Sequence, residues 1–159
     1  MDEARATLRR FVDGVASITF DGRHAPVLVA TWAGAPTLAV IARAQAWLDD
    51  AYADARADGL PGLVIISEAS HVQLPSLEAR RRLLELRHDP ELMLAVIAVV
   101  PVRNAVVHGL LRALAWALDS RFGSAVSFEQ ALDLAARAFA QRGLAIPDAI
   151  EQLRIERRG

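Results

Sequence analysis

The chain has no cysteine, so disulfides, thiolate catalysis and thiolate metal sites are all excluded. It also has no lysine: all 18 basic residues are arginine. That absence removes Schiff-base chemistry and any phosphate-binding P-loop lysine. Aromatic residues are scarce at 6%, and the net charge is −1, so no global field draws the protein to nucleic acid. No apolar run reaches the ~18 residues that span a bilayer. The longest, Leu92 to Val102, has the length of a buried strand and is interrupted by Pro101. The segment Met1-Asp2-Glu3-Ala4-Arg5 lacks the apolar core of a secretory signal, and the expectation is a soluble, cytoplasmic protein without stable membrane insertion.

What is present is apolar and alanine-rich. Apolar residues make up 53% of 159 and mean hydropathy is +0.25, enough for one domain, 1–159, with a real core. Ala4, Leu8, Phe11 and Val12 recur at helical spacing, predicting a short helix over 2–12 that ends at Asp13-Gly14. Val15 to Phe20 and Val27 to Trp32 read as strands around the turn signal Asp21-Gly22, paired antiparallel at one side of a sheet. Pro26 opens the second of them, where a missing N–H costs least. A helix is predicted from Pro36 to about Arg56. Its apolar face is Leu38, Ile41, Leu48, Tyr52 and Ala55; Val40 and Trp47 fall on another face, a candidate exposed apolar patch.

Gly62-Leu63-Val64-Ile65-Ile66 then reads as a buried strand leading into a polar loop, Ser67-Glu68-Ala69-Ser70-His71, and a helix from Ser76 to His88. Leu94 to Val100, apolar almost throughout, predicts a central strand covered on both faces. A helix from about Val102 to Leu118, a short strand Ser124–Val126, a capped helix from Ser127 to about Arg142 and a final helix over 147–158 complete the order. Strands alternating with helices imply an α/β fold with a mixed, mostly parallel sheet of four to five strands.

The candidate sites follow from this layout. Loops at the carboxyl ends of strands gather ligands and partners in α/β folds, which singles out Ser67, Ser70 and His71. Ser76 reads either as a helix N-cap or as a phospho-acceptor at a helix N-terminus. Glu68, Ser70 and His71 hold the residue types of a hydrolytic triad, but such groups converge from separate elements and no Gly-x-Ser-x-Gly is present. His24, His88 and His108 lack metal-ligand spacing, and no cofactor is implied. Arg80-Arg81-Arg82 stands among Glu78 and Glu85, the pattern of a solvated helix face. Ala105, Gly109 and Ala113 recur every four residues and are followed by Trp116, a stripe that admits the protein's own sheet, a partner or a second copy of the chain.

Three stretches resemble the SpoIIAA-like/STAS-like superfamily, in its uncharacterised bacterial branch. They are Val27 to Gly34; Leu63 to Ile66 with the helix Ala79-Arg80-Arg81-Arg82-Leu83; and Ala95 to Pro101 with the later Ala125 to Leu132. The resemblance spans roughly Val15 to Ala136 as a core with short helical extensions at the ends. It implies a non-enzymatic, regulatory protein-interaction module that binds a protein partner or forms a homodimer, with Ser67, Ser70, His71, Ser76, Trp47 and Trp116 at the contact surfaces. In anti-anti-sigma members a serine in an Asp-Ser-x-Gly setting is phosphorylated; that motif is absent here, and Ser76 stands in Ser-Leu-Glu-Ala. Related folds of the CRAL-TRIO kind hold lipids, which implies the alternative of a small-molecule or lipid carrier with a pocket between helix and sheet. A hydrolase using Ser70 or His71 is the second alternative.

Overall fold

The computed structural model describes residues 8–100, 105, 108, 109, 113 and 121–159. Among the described residues six strands form one sheet in sequence order: β1 (Leu8–Asp13), β2 (Ala16–Asp21), β3 (Val27–Gly34), β4 (Leu63–Val72), β5 (Met93–Val99) and β6 (Phe122–Ala125). The pairs β1–β2 and β2–β3 are antiparallel, whereas β3–β4, β4–β5 and β5–β6 are parallel. The α/β class and the antiparallel pair at one side are as expected; the strand count is six rather than four to five.

The sixth strand comes from the N-terminal segment. Residues 8–13 are not helical but pair with β2, Phe11 opposite Ile18 and Asp13 opposite Ala16. Gly14 supplies the positive φ (63°) that a two-residue turn needs, so a tight hairpin with β2 stands where the C-terminal half of the helix expected over 2–12 would lie; residues 2–7 are outside the described residues.

Side-chain alternation divides β3, β4 and β5 between two cores. Leu28, Ala30, Trp32, Leu63, Ile65, Val96 and Ala98 face one side, where they meet helix α1 (Leu38–Ala57) and helix α2 (Leu77–Leu84). Val27, Val29, Val64, Ile66, Ala95, Ile97 and Val99 face the other, against α3 (Phe128–Gln141) and α4 (Asp148–Arg158). Coverage on both faces explains why these strands are apolar at nearly every position. The terminal helix belongs to this second core, since Ile150 and Leu153 are buried in it.

The polar stretch read as a loop is strand. Ser67 and Glu68 continue β4 opposite Ala30 and Thr31 of β3 and opposite Ala98 and Val99 of β5. An extra residue on β4 between Glu68 and His71 makes a bulge, after which pairing resumes at His71 and Val72. β3 pairs along this stretch on both sides of the bulge and β5 along Ser67 and Glu68, and that pairing overrides the polar composition.

Two helices differ from expectation. In α1, N-capped by Thr37, Val40 (1% exposed) and Trp47 (7%) are buried and Leu38 is exposed, so the proposed apolar patch does not exist. The helix is greasy because it lies across the sheet and buries more than one stripe. Helix α2 ends at Leu84 rather than His88. Beyond it, His88 bonds to Tyr52, and Asp89 Oδ1 accepts from the backbone N–H groups of Glu91 and Leu92. The predicted helix Val102–Leu118, with Trp116, lies outside the described residues except for Ala105, His108, Gly109 and Ala113, which are helical.

Candidate functional site: an apolar cavity under helix α1

Small residues oppose one another between α1 and the sheet: Ala44 on the helix, and Ala30, Ser67, Ala69 and Ala98 on β3, β4 and β5. Large residues around them, Phe20, Trp32, Trp47, Leu48, Ile65 and Val96, hold the layers apart. Interiors normally close-pack with few voids larger than a water. Here the small side chains leave a cavity of about 100 Å³. Leu83, Leu84 and Leu86, from α2 and the turn after it, form its rim, with His88 and Phe122 beyond.

The walls are almost wholly hydrocarbon and aromatic. Among the described lining residues none carries a charged side chain, and Ser67, His88 and the tryptophans supply the polar atoms. Trp47 stacks on Phe20 with ring centroids 4.7 Å apart and planes at 24°. Its Nε1–H is buried and has no hydrogen-bond partner among the described residues. Buried donors are normally paired, because an unpaired one forfeits its bond to water.

His88 stands between this cavity and a surface cleft formed with Asp49, Tyr52, Arg56 and Asp89. Its Nδ1 lies 2.9 Å from the Tyr52 hydroxyl. Burial, assisted by the positive charge of Arg121, lowers the His88 pKa from 6.5 to about 4, so the ring is neutral near pH 7. Burial also raises the Tyr52 hydroxyl above its ordinary value, with the Asp89 carboxylate adding to the effect. With both groups neutral they share one hydrogen bond, whose direction follows the imidazole tautomer.

The residues singled out from the sequence are dispersed. Ser67 faces the cavity and not an outer edge. Glu68 faces the opposite core, 3.3 Å from Thr31 Oγ1 and 3.1 Å from an Arg157 nitrogen. Ser70 and His71 lie along the bulged end of β4, His71 exposed, and Ser76 caps α2 by accepting from Ala79 N–H at 3.1 Å. Glu68 therefore has its own partners on the far side of the sheet from Ser67. Trp47 is a cavity wall, not a surface anchor. Trp116 lies outside the described residues, whereas Ala105, Gly109 and Ala113 are exposed. Nothing lies within 4 Å of where a Gly109 Cβ would be, so the described surroundings give that glycine no packing role. Among the described residues no cluster of His, Asp and Glu could hold a metal, and no helix is long and apolar enough to cross a membrane.

A pocket between helix and sheet was expected only through the resemblance; the set of residues that line it and the Tyr52–His88 pair were not singled out. The signal for the first was the run of alanines at inward positions of three strands and a helix, legible only once the sheet order is known. Comparison with models of protein families, with curated proteins and with solved structures returns no match.

Proposed function

We propose that the protein is a non-catalytic binding protein for a small apolar molecule, held between α1 and the sheet. The observation that carries this reading is the cavity of about 100 Å³, uncharged along its described walls and roofed by Trp47. Empty apolar cavities take up small hydrophobic molecules, and one of roughly 150 Å³ accepts benzene. At about two-thirds of that volume the space suits a molecule smaller than benzene, which favours the small-molecule form of the carrier reading. The test is saturation-transfer NMR with cyclopropane as probe, on the wild type and on Ala98→Val, whose added methyl groups fill the floor. Transfer in the wild type that is lost in the variant supports the reading; no transfer in the wild type sinks it.

A second reading, the STAS-like interaction module, is favoured by the surface beyond β4. Leu74 (51% exposed) and Leu77 (70%) stand in the open beside exposed His71 and the cap Ser76. The parallel succession β3 to β6 also supports the resemblance on which that reading rests. Its test is co-purification of one specific protein partner that is lost in Ser76→Asp and in Leu77→Asp. A partner retained by both variants counts against this surface.

A further inference from the structure

We propose that a groove beside β6 binds a small amphipathic anion, an apolar body bearing one carboxylate, sulfonate or phosphate group, with Arg137 and Arg142 holding the charged end. The groove lies between α3 and the β5–β6 pair, on the opposite face of the sheet from the cavity under α1. The inference therefore does not rest on the small-molecule reading above.

The floor is apolar. Ala95 and Ile97 of β5 face this side of the sheet, and Leu134 and Ala138 of α3 pack beside them, partly buried. Gly123 of β6 leaves the space open, since even a Cβ there would come only to 3.8 Å from Ile97 Cγ1 and Leu134 Cδ1. The groove measures about 640 Å³, within the range of roughly 300–1,000 Å³ that small ligands occupy.

The rim is basic. Leu134, Ala138 and Gln141 form one stripe of α3, and the exposed Arg137 and Arg142 flank it on either side. Arg121 stands at the amino end of β6, its Nη1 donating to the Pro90 carbonyl at 2.9 Å, and adds its charge. No carboxylate lines the groove among the described residues, in a chain whose 19 acidic residues outnumber its 18 arginines. Other arginines sit on carboxylates: Arg23 on Asp21, Arg56 on Asp89 and Arg157 on Glu68. Asp133, one turn before Arg137 and its natural helical partner, is engaged by Arg154. Among the described residues neither Arg137 nor Arg142 forms an ion pair. Arg142 also complements the dipole at the end of α3, which makes Arg137 the more telling of the two. A neutral hydrocarbon would leave these guanidiniums unused, and a fully hydrated ion would leave the floor wet. An amphipathic anion satisfies both.

The experiment uses anilinonaphthalene sulfonate and its neutral counterpart N-phenyl-naphthylamine, one ring system with and without the anionic group. Both brighten on entering an apolar site. The wild type is expected to bind the sulfonate, with amide shifts in ¹H–¹⁵N spectra centred on Gly123 and Ala138. Arg137→Gln combined with Arg142→Gln is expected to weaken that binding about tenfold, as the loss of two exposed charge contacts. The neutral compound should bind the wild type and this double variant alike. Added salt should weaken the sulfonate only. Arg81→Gln, on the exposed side of α2, should change neither.

Equal binding of the sulfonate by the wild type and the double variant overturns the proposal, as does failure of the wild type to bind it. Shifts confined to residues away from the groove, or an equal loss of the neutral compound in the double variant, overturn it too. Displacement of the sulfonate by hexaglutamate, which has charge without an apolar body, overturns it in favour of an acidic protein partner. None of these outcomes bears on the cavity under α1.

Discussion

The hydroxyl of Tyr52 on α1 lies 2.9 Å from Nδ1 of His88, which sits in the turn between α2 and β5. This bond joins the helix over the cavity to the segment at its rim, and burial keeps its imidazole neutral near pH 7. The His88 pKa falls from 6.5 to about 4 on folding, chiefly through burial and secondarily through Arg121. The unfolded chain therefore binds the proton first as pH drops. Stability is complete above pH 6.5 and is lost as pH falls through about 4, in total about 2 kcal/mol after allowance for partial exposure. Chemical denaturation at pH 7 and pH 4.5 should show this loss, and His88→Gln should flatten the slope between them. An unchanged slope in the variant would remove His88 from the account.

Glu68 gives a second test, on the other face of the sheet. Its carboxylate meets Arg157 of α4, whose guanidinium also lies 4.1 Å over the Phe128 ring. Removing the arginine leaves a mostly buried carboxylate without its ion partner and takes the stacking contact with it. Arg157→Ala should cost about 1–2 kcal/mol in denaturant melts, and Glu68→Gln should recover part of that in the double variant. Full additivity of the two substitutions would contradict the pairing.

Ser76 separates a cap from a switch. Its hydroxyl accepts from Ala79 N–H, so Ser76→Ala should lose about 1 kcal/mol, while Ser76→Asp, which caps equally well, should be close to neutral. Thermal denaturation of both variants measures this. A destabilising aspartate would show that the position tolerates no negative charge and would argue against phosphorylation there.

Gly34 closes β3 where the chain passes the β1–β2 turn. Its φ is 72°, and a Cβ would stand 2.6 Å from the Val15 carbonyl oxygen. Backbone sits in the way and cannot swing aside as a side chain would. Gly34→Ala should therefore destabilise by about 2 kcal/mol or more, whereas Gly59→Ala, equally positive in φ but with open space around it, should cost about 1 kcal/mol. Equal losses at the two sites would contradict the close approach.

Much of this fold was legible in the sequence because its strongest signals are local. Leu94 to Val100 announced a strand covered on both faces, and Ser127 announced a helix that the structure caps by accepting from Gln130 N–H. The failures share a physical cause. Leu8 to Asp13 has spacing compatible with either helix or strand, and only the β2 partner decides between them. Ser67 to Val72 looks like loop until β3 is seen to extend beside it, with β5 alongside Ser67 and Glu68. Trp47 looked exposed because α1 was given a single buried stripe, whereas it covers the sheet broadly. The cavity is a matter of tertiary volume: Ala30, Ala44, Ala69 and Ala98 are far apart in sequence and ordinary one by one. Together they leave a space that no spacing rule records.

The central claim is that this space is a real, dry, accessible binding cavity. Xenon fills apolar cavities and is visible by diffraction. Crystals of the protein pressurised with xenon should show an atom among Phe20, Trp47, Ile65 and Val96, or a co-purified small molecule already in its place. A cavity closed by repacked side chains, or one holding ordered water that xenon does not displace, would contradict the account.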